Sequence, residues 1–281
     1  MKKLIFPALF TIAASLSIAL PPKSHSQMVA CSRSGNIPSQ QTDSAFATAN
    51  SDGCSATPDK YEIVIYEMGL CTGETSPIAG GTLDRTNCTA TFTNTGGQTV
   101  DLAGSATITL DSSSSTAPSP NTYTYGYLVM ANTFGLRGSL QTSQSTWVST
   151  SDGSASNSES TAADFSESLT NFAAEEGQCD SSASETMSLG TMSAILTDSD
   201  LDEVTSCSSA SITRLIGAFA PNTPYTITAA TTALKTTFTV TDNGMSVIPP
   251  YEANQFGQVS AGDGVGDFGS GPFQLEITII E

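Results

Sequence analysis

Three aspartates at alternate positions, Asp198, Asp200 and Asp202, have spacing suited to metal chemistry. They match the first ligand positions of an EF-hand loop, in which carboxylate oxygens converge on Ca2+. The rest of that loop fails. Glu203 stands where the sharp turn needs glycine, and Ser209 stands where the bidentate glutamate belongs. What remains is a looser oxygen site for Ca2+ or a capped, solvated turn. Asp263 and Asp267 pose the same choice in a glycine-rich stretch. They are off register for a calcium-binding nonapeptide repeat, and the pattern does not recur.

Tyr123, Tyr125 and Tyr127 alternate, so in a regular strand they share one face. Exposed, such a row is a ligand platform on which carbohydrate stacks. Buried, it is a core face with hydroxyls at its margin, and that reading is favoured. Trp147 is the single tryptophan, lean for a sugar binder.

Catalytic groups are scarce. His25 is the one histidine, and it falls in the N-terminal leader described below. Histidine-based nucleophile activation and histidine metal sites are therefore not expected. The stretch Gly264-Val-Gly-Asp-Phe-Gly269 matches a dinucleotide fingerprint in letters alone. Pro272 and a strand follow it, where the fingerprint requires a helix. A glycoside hydrolase built on two carboxylates needs no histidine. With 27 acidic residues and no distinguishing motif, no pair stands out. The expectation is a non-enzyme with no cofactor other than Ca2+.

Six cysteines, an even number, lie outside the leader and read as disulfides of an oxidising compartment. Sequential pairing is expected: Cys31 with Cys54, Cys71 with Cys88, and Cys179 with Cys207. Expected strands or linkers separate each pair from the next. No Cys-x-x-Cys occurs, which argues against zinc.

The leader itself is residues 1–26. Lys2 and Lys3 precede an apolar run over 4–20, then come Pro21-Pro22 and the small residues Ser24 and Ser26. This is the pattern of a cleaved secretory signal peptide, with no stable membrane insertion afterwards. The run is short and interrupted by Pro7, unlike a spanning helix. Cleavage leaves six basic residues (Arg33, Lys60, Arg85, Arg137, Arg214 and Lys235) against all 27 acidic ones. So few cations exclude nucleic acid as a partner. The expected location is secreted, periplasmic or cell-surface.

The elements that must hold these residues are mostly strands. Residues 61–68 are β-branched, aromatic and apolar on both faces, as a central strand requires. Residues 89–93 and 98–102 read as a hairpin around Asn94-Thr-Gly-Gly97. Further strands are expected at 106–110, 122–130, 134–140, 145–149, 225–229, 235–241, 245–248 and 273–280. Asn243-Gly244 suggests a tight hairpin. One amphipathic helix is expected over about 161–176, from Phe165, Leu169 and Phe172, a capping pattern at Thr161 and a stop at Gly177.

The sequence thus predicts an all-β fold, an antiparallel β-sandwich or jelly-roll-like domain over 59–281 with that helix inserted. A disulfide-pinned arm over 27–58 precedes it. The Ser-rich stretch 150–162 is the place where two sub-domains would divide. The functional expectation is an exported structural or adhesive protein, with a carbohydrate- or calcium-dependent binding module as the alternative and a carboxylate hydrolase as a third. The strand at 272–281, apolar on one face, either closes its own sandwich or pairs with a second copy.

Overall fold

The computed structural model describes residues 29–31, 37–103, 116–173, 178–187, 190–208, 210–253, 259–261 and 263–281. The signal peptide expected over 1–26 and the strand expected at 106–110 lie outside them. Among the described residues the helix α1 is Asp43–Ala49. The strands in chain order are β1 Cys54–Ala56, β2 Lys60–Cys71, β3 Cys88–Asp101, β4 Asn121–Tyr123, β5 Tyr125–Ala131, β6 Thr133–Arg137, β7 Ser139–Gln141, β8 Thr146–Ser149, β9 Ala155–Ser156 and β10 Phe165–Ser168. They continue as β11 Ser182–Met187, β12 Gly190–Thr197, β13 Arg214–Pro221, β14 Tyr225–Ile227, β15 Ala233–Thr239, β16 Met245–Ile248, β17 Tyr251–Ala253, β18 Val259–Ala261, β19 Asp267–Ser270 and β20 Gln274–Ile280. The fold is all-β with antiparallel sheets, as its patterning requires.

β2 organises the main sheet. β5 and β6 run head to tail along one edge of it, from Tyr125 opposite Cys71 to Arg137 opposite Lys60. β3 covers its other edge. Beyond β5 come β13, β12 and β11, and beyond β6 comes β10, so eight strands curl into half a barrel. Alternation along β13 turns Leu215, Gly217 and Phe219 to the inner side and Ile216 and Ala218 to the outer. The outer side is buried too, with Ile195 and Val129 packed among Ile78 and Leu83 of the 72–87 loop.

At Tyr66 the register of β2 jumps from Ile65 to Glu67. Opposite it, Asn94–Gly97 loop out of β3 between Thr93 and Gln98. The hairpin expected there is therefore one long strand with a wide bulge, because both halves pair with β2 and not with each other. Gly97 sits at φ +76°, and a Cβ there would lie 2.4 Å from the Val64 side chain, so only glycine suits the bulge.

The inner side is closed by the three-stranded sheet β1–β16–β19 and by the two-stranded ribbon β15–β20. One buried cluster runs from Cys31 to Phe273 and joins these layers. Within it Tyr61 packs on Phe134 and Phe273 at ring distances of 5.8 and 6.1 Å. The stretch 150–162 carries β9, which pairs with β8 of the β7–β8 hairpin. Asn243-Gly244 does turn, both amides donating to the Val240 carbonyl. The strands it joins nevertheless enter different sheets, β15 with β20 and β16 with β1 and β19.

The helix expected over 161–176 is not formed; residues 174–176 lie outside the described set. Phe165, Leu169 and Phe172 are buried, as their spacing suggests. They are buried from extended backbone. β10 pairs with β6 from Phe165 opposite Leu136 to Ser168 opposite Thr133, and the amides of Leu169 and Phe172 donate to Asn132 and Asp180 carbonyls. The intervening Ser166, Ser168, Thr170 and Asn171 give the helix little intrinsic support, whereas β6 offers an edge. Conversely, α1 lies within the disulfide-pinned arm 27–58, where the sequence predicts no helix. Thr42 caps it by accepting from the Ala45 amide, and Phe46 and Ala47 are its buried residues. One aromatic in seven residues shows no period.

Asp43 fastens α1 to the β7–β8 hairpin. Its carboxylate accepts from the hydroxyls of Thr142 (2.5 Å) and Ser145 (2.8 Å) and from the Trp147 indole (3.2 Å). Burial alone would raise this carboxyl; the three donors outweigh it and hold it below its ordinary value. The Gly264 amide donates to the Asp43 carbonyl. The six cysteines pair 31–54, 71–88 and 179–207, with no free cysteine among the described residues.

Candidate functional site

The inner side of the half-barrel and the β15–β20 ribbon enclose a cavity of about 710 Å³. Met68, Leu128, Met130, Met192, Leu215 and Phe219 form its floor. Leu234, Phe238, Leu275 and Ile277 form the roof, on the face of the ribbon where β15 and β20 pair Leu234 with Ile279, Thr236 with Ile277 and Phe238 with Leu275. The volume comes from small residues at inward positions. Gly126, Ala194 and Gly217 stand beside Leu128, Met192 and Leu215 in the alternation. A Cβ added at Gly217 would meet nothing nearer than the Met192 sulfur at 3.9 Å.

The cavity is deep at one end and open at the other. Tyr61 and Ser270 line the deep end, both buried. The Tyr61 hydroxyl donates to the Gly271 carbonyl at 2.7 Å, and burial, with Glu167 nearby, raises its pKa. Behind Ser270 lies Glu167. Burial pushes its carboxyl above the ordinary value although the Ser270 amide donates to it. The exposed lining residues Thr116, Pro120, Ala229 and Thr232 mark the open end. These two loops meet there because β4 and β14 pair Asn121 with Ile227.

The lining is nearly free of charge. Among the described residues that form it there is no Asp, Glu, Arg or His, in a chain with 27 acidic residues. Its one lysine, Lys235, lies on the outer face of the ribbon opposite Thr278, by the alternation that turns Leu234 and Thr236 inward.

The residues expected to bind from their spacing lie elsewhere. The Asp198 carboxylate accepts from the amides of Asp200 (2.9 Å) and Asp202 (3.1 Å), closing a turn, and Asp202 bridges to Thr82. Asp263 is exposed, and Asp267 begins β19 and bridges to Ser154. Among the described residues no three His, Cys, Asp or Glu side chains gather as metal ligands would. Thr124 divides the tyrosine row. Tyr123 belongs to β4 and packs with Leu70 and Ile227, whereas Tyr125 and Tyr127 belong to the outer face of β5. Tyr123 and Tyr127 are buried, so the three rings do not form one exposed row. The Tyr127 hydroxyl donates to Glu67 at 2.6 Å, and Arg85 grips the same carboxylate with two bonds. Burial opposes ionisation of Glu67; these donors overcome it and hold its pKa low.

The strands β12 and β13 that carry half of the floor have no clear alternation in sequence. The one available signal was glycine or alanine at inward positions among methionines, which reads as space inside a curled sheet. No family model matches the chain, and neither a curated protein nor a solved structure matches it.

Proposed function

We propose that this chain is an exported, non-enzymatic binding protein that shelters an apolar small molecule inside its half-barrel. The observation that carries the reading is the cavity of about 710 Å³ with a methionine- and leucine-rich floor and an open threonine-edged end. Its size and lining belong to the range of small-molecule sites, which are concave and mostly apolar. Three disulfides support an oxidising, extracytoplasmic location. Binding is favoured over turnover because the described residues of the lining offer no carboxylate, imidazole or thiol to act on what it holds.

Titration with the neutral fluorescent probe N-phenyl-1-naphthylamine tests this. Saturable binding of about one probe per chain, weakened by Gly217→Leu and abolished by Gly217→Trp, is the expected result. Equal binding by wild type and both filled variants would place the probe elsewhere and end the reading.

A structural or adhesive subunit is the second reading, and it rests on the C-terminal ribbon. Among the described strands β20 pairs with β15 alone, and Ile280 is 42% exposed. The outer edge of the ribbon is thus a place where a second copy would add a strand. Sedimentation at rising concentration checks it. Association lost on Ile280→Lys supports the reading, and a strict monomer removes it.

A further inference from the structure

We infer that the cavity is selective for an uncharged, largely aliphatic ligand, a long-chain alcohol or ester rather than a fatty acid or a cationic amphiphile; this rests on the binding reading above. Three features of the molecule support it. First, an ionised head group drawn inside needs a counter-charge, because an isolated ion in an apolar medium is strongly destabilised. The inward faces supply none: the described lining has no acidic residue, arginine or histidine, and the alternation of β15 turns Lys235 away from the roof.

Second, a head group left at the open end meets threonines. Thr116, Thr228, Thr231 and Thr232 gather there; Thr232 already donates to the Ile280 carbonyl and Thr228 lies 3.5 Å from the Glu281 carboxylate, but the Thr116 and Thr231 hydroxyls can still exchange hydrogen bonds with a hydroxyl or an ester carbonyl. Nothing in this set discriminates in favour of a full charge. Third, the protein carries a formal net charge of −18, so an anionic amphiphile approaches against a repulsive field. A cationic amphiphile is drawn toward the surface but finds no carboxylate among the described residues of the lining, and Glu281, beside Thr228 at the open end, is exposed and hydrated, so a pairing there adds little. A neutral chain meets neither obstacle, and the flexible side chains of Met68, Met130 and Met192 can adapt to its shape.

The test is displacement of N-phenyl-1-naphthylamine from the full chain by three probes of equal length: 1-dodecanol, laurate and dodecyltrimethylammonium, at pH 8 and low salt. Dodecanol is expected to bind about tenfold or more tightly than either ion, as a site lacking a partner for a charge discriminates against it. Added salt should narrow the gap to laurate by screening the protein's field. Lowering the pH through the laurate carboxyl should narrow it further. Laurate or dodecyltrimethylammonium matching the alcohol at low salt would overturn the inferred selectivity while the cavity reading stands. If none of the three displaces the probe, or if Gly217→Leu and Gly217→Trp bind all three as wild type does, the cavity reading itself falls.

Discussion

Replacing Gly264 by alanine perturbs one contact that can be worked through in full. Gly264 sits at φ +80°, where a Cβ would lie 2.0 Å from Trp147 Cζ2 and 2.5 Å from Cε2. The left-handed conformation costs an alanine about 1–2 kcal/mol. The steric conflict adds about 1–3 kcal/mol if the indole stays. If the indole swings away, it gives up its bond to the Asp43 carboxylate, a loss of about 1.5–3 kcal/mol for a charged acceptor. Either route gives a total of about 2–5 kcal/mol. Trp147 is the single tryptophan, so its fluorescence reports both urea unfolding and any displacement of the ring. Gly80→Ala is the control: a Cβ there meets nothing within 4 Å, and a change under about 0.5 kcal/mol is expected. The double variant Gly264→Ala with Trp147→Phe should retain mainly the backbone part, about 1–2 kcal/mol relative to Trp147→Phe alone. A Gly264→Ala protein that loses less than about 1 kcal/mol and keeps its native emission would refute both the φ and the contact.

Other substitutions probe different parts of the molecule. Phe165→Ala empties a buried site on the edge strand β10 and should cost about 3–5 kcal/mol by chemical denaturation. Glu167 has its native carboxyl raised by burial, so the native state binds the proton more tightly than the unfolded chain. Its contribution to stability therefore falls as pH rises from the ordinary value of 4.5 through the raised native value. Glu167→Gln should melt higher than wild type at pH 7 by calorimetry, with the gap closing near pH 4; an equal gap at both would contradict the assignment. Limited reduction of the native protein should open Cys179–Cys207 first, because Cys179 is exposed while Cys31, Cys54 and Cys71 are buried. Peptide mapping after alkylation reads the order, and losing that bridge should cost about 3–4 kcal/mol.

These elements differ in how far their sequence foretold them. β2 and β20 were plain from composition and alternation, because a strand's own residues record which faces are buried. The long bulged β3 was not, since its turn-like Asn94-Thr-Gly-Gly97 is decided by the template strand it pairs with. At Phe165, Leu169 and Phe172 the spacing foretold burial, but i, i+4 and i+7 are compatible with helix and with an edge strand that turns away after four residues. β12 and β13 bury both faces, so their alternation is erased. The cavity was least legible. A sequence shows that Gly217 and Ala194 are small, but only the curl of the sheet and the distance to the ribbon turn smallness into volume. Charges made the opposite error. Asp198, Asp200 and Asp202 stand out by spacing, yet two of them supply the backbone amides that hold the third in a turn.

The three sulfur bridges have no overlap along the chain: each opens and closes before the next begins, over separations of 23, 17 and 28 residues. A polypeptide that meets oxidant from its N-terminus onward therefore presents its thiols two at a time, and each newcomer finds its proper mate as the one neighbour still reduced. Emergence order alone selects a single arrangement from the fifteen that six cysteines allow. The same chain oxidised from a fully denatured pool has no such guide, and must reach the native set by exchange among wrong pairs. The difference in yield between these two routes is thus written into the linear placement of six residues, before any sheet has formed.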